Sequence, residues 1–253
     1  MYMSIRFAMQ RLGMFLLTVC LCAGAWGAEV SMAFGDRIPP FCFPETHSGI
    51  ELEVIGEALA YRGHSLKPFY FPFARVPLSF KTHKVDAAMT DGGEDLRPFG
   101  AHYGDSAVIY DNVFISLARR NLKIRTPADL KGLTVISFQG AAKRYPQWLG
   151  PVVEAGNFFE QNDQAIQVRT LDLGRYDVVL SDRTIFKYFS RQHQSEAGHE
   201  LNPVVEHPFT QVNPDDYRPL FRDVKIRDDF NAGLKQLKAS GRFRQIYDKY
   251  LLK

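Results

Sequence analysis

Motifs for metal, nucleotide and hydrolase sites are missing from this sequence of 253 residues. It has no paired-cysteine metal spacing, no phosphate-binding glycine loop ending in Lys-Ser/Thr and no Gly-x-Ser-x-Gly nucleophile elbow. His199-Glu200 begins a zinc-protease pattern, but Pro203 occupies the position where the second histidine is required. We therefore expect no enzymatic activity, no bound metal and no cofactor.

An excess of charge of one sign is also missing. The 31 Lys and Arg residues stand against 28 Asp and Glu residues, which leaves a formal charge of +3. A nucleic-acid-binding protein usually carries a strongly basic surface, so we expect no nucleic-acid partner. Apolar residues make up 45% of the chain and charged residues 23%, which is typical of a chain that buries a core.

Long apolar runs are confined to the N-terminus. Arg6 and Arg11 precede an apolar stretch from Met14 to Ala25, and the small residues 27 and 28 follow. This pattern predicts a secretory signal peptide over residues 1–28, cleaved near Gly27 or Ala28, rather than a membrane anchor, which needs about 20 apolar residues. Beyond residue 28 no stretch is apolar enough to span a membrane.

Cysteine is scarce, and two of the three cysteines lie in the predicted signal peptide. Val19 precedes Cys20 and Leu21 precedes Cys22, whereas a lipid-anchor site would want a small residue before the cysteine. We therefore expect an exported protein without a lipid anchor. Cys42 would then be the single thiol of the mature chain, which excludes an internal disulfide.

The remaining chain alternates between strand and helix patterns. Strands are predicted at residues 30–34, 65–71, 85–89, 133–138 and 177–180. Helices are predicted from a capping box at Ser48 and Glu51 to Gly63, over 76–80, after a turn that Thr126 caps, and over a C-terminal segment that stops near Gly241. This order predicts an α/β fold with mainly parallel sheets covered by helices.

One short segment occurs twice. Residues 84–91 (KVDAAMTD) align without gaps with residues 175–182 (RYDVVLSD). The match is short enough to be two unrelated helix-to-strand turns. If it reflects two similar lobes, Thr90-Asp91 and Ser181-Asp182 follow equivalent strands, and ligands bind beyond the carboxyl ends of strands in such sheets. The two pairs would then face each other across a cleft.

Four charged side chains could recognise a small zwitterion in that cleft. An arginine binds a carboxylate in a bidentate manner, and an aspartate accepts hydrogen bonds from an ammonium group. The candidates are Asp91, Asp182, Arg75 and Arg97. Surface salt bridges and helix caps are the alternative roles for these groups. Four aromatic residues could line an apolar wall or simply belong to the core: Phe41, Phe43, Phe71 and Phe73.

Five motifs occur in an order that resembles family 3 of the bacterial extracellular solute-binding proteins, the periplasmic receptors of amino-acid ABC importers. The resemblance covers essentially the whole mature chain. The motifs are residues 38–41 (IPPF) followed by 49–52 (GIEL), 84–87 (KVDA), 129–135 (DLKGLTV), 174–177 (GRYD) and 241–250 (GRFRQIYDKY).

The resemblance implies two Rossmann-like α/β lobes joined by a two-strand hinge, the type II periplasmic-binding-protein fold, with the ligand in the cleft between them. Lobe I would comprise residues 29–115 and 219–253, and lobe II residues 116–218. It also implies a monomer in the periplasm that delivers its ligand to an ABC permease.

The resemblance assigns roles to particular residues. Asp182 would hold the ammonium group of the ligand, and Phe73 would pack on its body. The turn that contains Gly140 and Ala141 would bind the ligand carboxylate through backbone amides, together with Arg97. Arg97 departs from the family spacing, since it lacks the usual upstream threonine.

The resemblance leaves more than one function open. The leading hypothesis is a receptor for a small polar solute, an amino acid or a related compound. A periplasmic dehydratase of cyclic carboxylic acids on the same scaffold is an alternative, in which Asp91 or Glu94 would act as general acid. A ligand-sensing protein that meets no permease is another. Asp91, where the family commonly has a small residue, would favour a ligand with a second positive or hydroxyl group.

Overall fold

The computed structural model describes residues 27–211, 213 and 215–251. The predicted signal peptide lies outside the described residues except for Gly27 and Ala28. The strands are β1 (Glu29–Gly35), β2 (Ser65–Phe71), β3 (Ala87–Ala88), β4 (His102–Tyr103), β5 (Asn112–Leu117), β6 (Val135–Phe138), β7 (Phe158–Gln161), β8 (Val178–Asp182), β9 (Val204–His207) and β10 (Leu220–Phe221). The α-helices are α1 (Ile50–Ala60), α2 (Val76–Lys81), α3 (Ala141–Arg144), α4 (Pro146–Glu154), α5 (Gln164–Asp172), α6 (Arg183–Ala197), α7 (Val224–Ala239) and α8 (Arg242–Leu251).

The strands form two five-stranded sheets with the same plan. The first has the order β2-β1-β3-β10-β4, and the second the order β7-β6-β8-β5-β9. In each sheet the first three strands are parallel, while the fourth is antiparallel to both of its neighbours. The predicted α/β class with two Rossmann-like lobes is confirmed.

The duplicated segment occupies equivalent places in the two sheets. Asp86 lies just before β3 and accepts hydrogen bonds from the backbone N–H and hydroxyl of Ser31, at 3.2 and 2.5 Å. Asp177 lies just before β8 and accepts the same pair of bonds from Thr134, at 2.8 and 2.9 Å. The shared aspartate therefore ties each central strand to its neighbour, and the two segments end at the same edge of their sheets.

Two connections join the sheets. Residues 104–111 lead from β4 to β5, and residues 208–219 lead from β9 back to β10. Strand β5 pairs only within the second sheet, so the pairing favours a first lobe boundary near residue 111 rather than 115. The lobe boundaries themselves stay predictions.

The predicted start of the first long helix is wrong. Helix α1 begins at Ile50 with Gly49 at its N-cap, whereas Ser48 exchanges backbone hydrogen bonds with Phe43. Gly49 has φ 129°, and a Cβ there would lie 2.3 Å from the carbonyl oxygen of Phe41. The backbone therefore requires glycine at the N-cap position, so Ser48 does not cap this helix. The helix ends at Ala60 rather than near Gly63.

Other elements follow the predicted pattern with different ends. Strand β2 has the predicted bounds, whereas β3 is only Ala87–Ala88 within the predicted 85–89. The Thr126 cap is confirmed, since Thr126 and Asp129 form a capping box at the start of a 3-10 helix. The chain continues after Gly241 into α8, a separate helix. None of the helices in the described part is both long and apolar enough to cross a membrane.

Candidate functional site

A small cavity lies between the two sheets at the carboxyl ends of their parallel strands. Its walls come from both lobes and from both connections: Ile38, Phe73, Tyr110, Asn112, Phe138, Gln164, Asp182, Ile185 and Tyr217. The space that can hold the centre of a water molecule is about 20 Å³. This is enough for about one water molecule, so a solute enters only if the lobes separate.

Asp182 is the carboxylate of this cavity. It ends β8 and is the N-cap of α6, where Oδ1 accepts hydrogen bonds from the backbone N–H groups of Thr184 and Ile185, both at 2.9 Å. Oδ2 accepts a third from the N–H of Asp111 at 2.7 Å. The residue is 2% exposed, and burial raises its pKa to about 6 although the three N–H groups oppose that rise. All three partners are neutral, so no cation of the part of the chain that the structure describes is bonded to this carboxylate.

Polar groups of the cavity wall are hydrogen-bonded to one another and to residues behind the wall. The side-chain amide of Asn112 donates to the hydroxyls of Tyr145 and Tyr217, at 2.9 and 3.1 Å. The hydroxyl of Tyr110 donates to Oε2 of Glu51 at 2.7 Å. Glu51 is fully buried, and desolvation raises its pKa to about 8. The lining hydroxyls of Tyr110 and Tyr217 therefore already have partners within the protein.

Aromatic rings make the walls. Phe73 lies 6.1 Å from Phe138 of the opposite lobe and 6.4 Å from Tyr217, measured between ring centroids. Tyr217 in turn lies 4.9 Å from Tyr110. Phe41 is buried behind the lining and contacts Tyr110 at 4.5 Å, so it supports a wall residue and is absent from the lining itself.

Arg144, which sequence reasoning missed, spans the cleft beside the cavity. Its Nη2 lies 2.9 Å from Oδ1 of Asp91 and 3.4 Å from Oγ1 of Thr90, on the other lobe. Its Nη1 lies 3.6 Å from Asp216, and its guanidinium carbon is 4.4 Å from the centre of the Tyr217 ring. The predicted cleft residues Thr90 and Asp91 thus face an internal cation.

The remaining predicted residues of the second lobe lie near this junction. Ser181 is buried and donates to Oε1 of Gln164 at 3.3 Å, so it orients a lining side chain. Gly140, in the left-handed region at φ 88°, precedes α3 and lines a neighbouring pocket with Phe73, Phe138 and Arg144. Ala141 is buried under that turn.

The two other predicted arginines lie outside the cavity lining. Arg97 is 74% exposed in its side chain and forms an ion pair with Asp95, with Nε and Oδ1 2.8 Å apart. Arg75 ends the 3-10 turn Phe73–Arg75 and is exposed. The sequence lacks the threonine that the family usually has upstream of this arginine. That departure is the signal that could have shown that Arg97 lies outside the site.

Two further ion pairs join the lobes around the cavity. Arg37 contacts Asp163 at 2.9 Å between Nη1 and Oδ2. Glu94 binds Lys143 across the cleft and Lys81 on its own lobe, the latter at 2.8 Å. Both lysines lower the pKa of Glu94. With Arg144, these pairs bridge the two lobes.

Of the comparisons with known proteins, only the comparison of structures finds matches. No protein-family model and no curated protein sequence matches the chain. By structure it is similar to an ancestral arginine-binding protein bound to arginine, with TM-score 0.67, 18% identity and coverage of 88% of this chain and 97% of that one. It is also similar to a histidine kinase sensor domain with similarity to periplasmic binding proteins, with TM-score 0.70, 18% identity and coverage of 88% and 96%.

A third similar structure is the amino acid ABC transporter substrate-binding protein AbpA from Streptococcus pneumoniae bound to L-arginine. The TM-score is 0.67 at 16% identity, and 88% of this chain and 94% of that one are covered. At these identities the likeness defines the fold. The chain has the two-lobed type II periplasmic-binding-protein fold.

Proposed function

We propose that this protein is a solute-binding receptor that closes its lobes around a small solute with an ammonium group, an amino acid or a related compound. The observation that carries the proposal is Asp182, a buried carboxylate without a bonded cation at a cavity between two lobes. Burying an unpaired charge is costly, and a bound ammonium group would offset that cost.

The proposed setting is the periplasm. After cleavage of the signal peptide the protein would act as a monomer and present its solute to an ABC permease, without making or breaking a bond in it. The similarity to an ABC transporter substrate-binding protein supports delivery to a permease. The similarity to a histidine kinase sensor domain favours a second candidate, in which lobe closure signals the solute instead of delivering it.

The dehydratase alternative finds less support in the cleft. A general acid must hold a proton near neutral pH, which requires a raised pKa. Glu94 binds two lysines, and they lower its pKa. Asp91 is engaged by Arg144. Both carboxylates therefore serve as anionic partners between and within the lobes.

Thermal unfolding in the presence of candidate solutes tests the proposal. The purified protein is first unfolded and refolded to remove carried-over solute, then heated with amino acids, amines and organic acids. A true ligand at a hundredfold excess over Kd raises the free energy of unfolding by about 2.7 kcal/mol. Asp182→Ala should remove the response, while Asp223→Asn, at an exposed N-cap of α7, should keep it. A response that survives Asp182→Ala places the ligand elsewhere.

A further inference from the structure

The charges around the cavity favour one sign of ligand. Arg183 follows Asp182 directly, but its guanidinium lies 3.1 Å from Oδ2 of Asp111 and 3.0 Å from Oε2 of Glu206. One cation is thus shared by two carboxylates. Arg183 therefore leaves the negative charge of Asp182 uncompensated.

Arg144, which lies beside the cavity, has the same arrangement. It is shared by Asp91 and Asp216, and its side chain is only 11% exposed. A ligand carboxylate that approached this guanidinium would meet two carboxylates already in contact with it. Like charges in a poorly solvated site repel strongly, so Arg144 is a poor carboxylate anchor.

One backbone amide at the start of α3 is also engaged. The N–H of Ala142 donates to Oε1 of Glu160 at 3.2 Å. This turn is where the resemblance expected the carboxylate of an amino acid. Arg97 is exposed and paired with Asp95, and Arg75 is exposed outside the cavity lining. Arg144, the Ala142 amide and Arg97 are therefore each already bound by a carboxylate of the chain itself.

We infer that the solute of the proposed receptor is a cation without a carboxylate, an organic amine or guanidine with an apolar body. Its cationic group binds Asp182, and its body contacts the rings of Phe73, Phe138 and Tyr217. Aromatic faces attract cations as well as apolar groups, so the aromatic walls can contact both the cationic group and the apolar body of such a molecule. This inference rests on the proposed solute-binding function and narrows its substrate class.

Matched pairs of solutes test the inference. Each pair compares an amino acid with the amine that lacks its carboxylate: arginine with agmatine, lysine with cadaverine, phenylalanine with phenethylamine, and leucine with isoamylamine. Isothermal titration of the refolded protein should give, for at least one pair, an amine that binds about tenfold or more tightly than its amino acid, because an unpaired carboxylate is costly to desolvate. Amino acids that bind as tightly as their amines, or more tightly, overturn the inference and leave the receptor proposal standing.

A different result would overturn both proposals. If neither member of any pair binds, the receptor for an ammonium solute is wrong, and the narrower inference falls with it. The two failures are therefore distinguishable in one data set.

Variants test the physical cause. Glu160→Gln and Asp216→Asn each remove a carboxylate from a group that could bind a ligand carboxylate, so both should reduce the preference for the amine over its amino acid by several-fold. Asp223→Asn removes an exposed carboxylate at an N-cap and should leave the preference unchanged. Asp182→Asn should abolish amine binding. A preference that neither Glu160→Gln nor Asp216→Asn changes contradicts the charge argument.

Discussion

Asp182→Asn should make the ligand-free protein more stable at neutral pH. Burial raises the pKa of Asp182 from 3.8 to about 6, so the ionised form is disfavoured in the folded state. A raised pKa means that stability is greatest below the unfolded-state value and is lost as the pH rises from about 4 through about 6. At 1.36 kcal/mol per pKa unit, the penalty at pH 7.5 is about 3 kcal/mol.

Asparagine removes the charge and keeps most of the cap. Its amide oxygen can accept from Thr184 and Ile185, since asparagine and aspartate cap helices about equally well. Its NH₂ group would face the N–H of Asp111, and that lost bond costs about 1–3 kcal/mol. The expected net gain at pH 7.5 is about 1 kcal/mol, which raises Tm by about 2–4 °C.

The sign of the effect should reverse in acid. At pH 4 the wild-type Asp182 is protonated in the folded state, so only the lost bond to Asp111 remains and the variant should be the less stable protein. Calorimetry of refolded protein at pH 7.5 and pH 4 measures both differences. Asp223→Asn is the control, because Asp223 caps α7 with the same two bonds but is exposed. If Asp182→Asn lowers Tm equally at both pH values, Asp182 is an ordinary cap and the reasoning is refuted.

Three further predictions concern binding, reporting and packing. The affinity for an ammonium ligand should weaken up to tenfold per pH unit below about pH 6, because the ligand needs ionised Asp182; titration at pH 5 and pH 7 checks this. Ligand binding should change the fluorescence of Trp148, which contacts Phe209 at 5.2 Å at the start of the second connection; an unchanged spectrum at saturation contradicts hinge movement there. Gly233→Ala should lower the free energy of unfolding by about 2 kcal/mol or more in urea titrations, because the new Cβ would lie 1.9 Å from the carbonyl oxygen of Ala58 on α1. Gly150→Ala, at a helical glycine with open space around it, is the control and should change stability little.

The fold followed from local patterns to a large extent. Hydrophobic runs gave the positions of β1, β6 and β8, because a buried parallel strand must be apolar on both faces. The duplicated segment also predicted the equivalence of β3 and β8. Asp86 and Asp177, at the same position of the segment, accept the same hydrogen bonds in the two lobes. Helix ends were less predictable. Ser48 has a good capping side chain, but the close approach of Phe41 to Gly49 decided where α1 starts.

The site was predicted in part. Asp182 and Phe73 were named from the sequence and do line the cavity. Tyr110 and Tyr217 lie on the two connections, and no periodic pattern marks the residues of a connection. Arg144 was missed because its importance depends on Asp91 and Asp216, which are distant in sequence. The ligand-binding roles of Asp182 and Phe73 remain predictions that mutagenesis can test.

The sequence by itself determined the α/β class and the duplicated strand ends, because both depend on neighbours within a few residues. Only the tertiary structure decided which charges meet. It paired Arg144 with Asp91 and Asp216, and Arg183 with Asp111 and Glu206. It also brought Glu160 to the backbone N–H of Ala142 in α3. Ion pairs form wherever folding brings opposite charges within about 4 Å, whatever their separation along the chain. The charge of the cavity is therefore a property of the folded molecule.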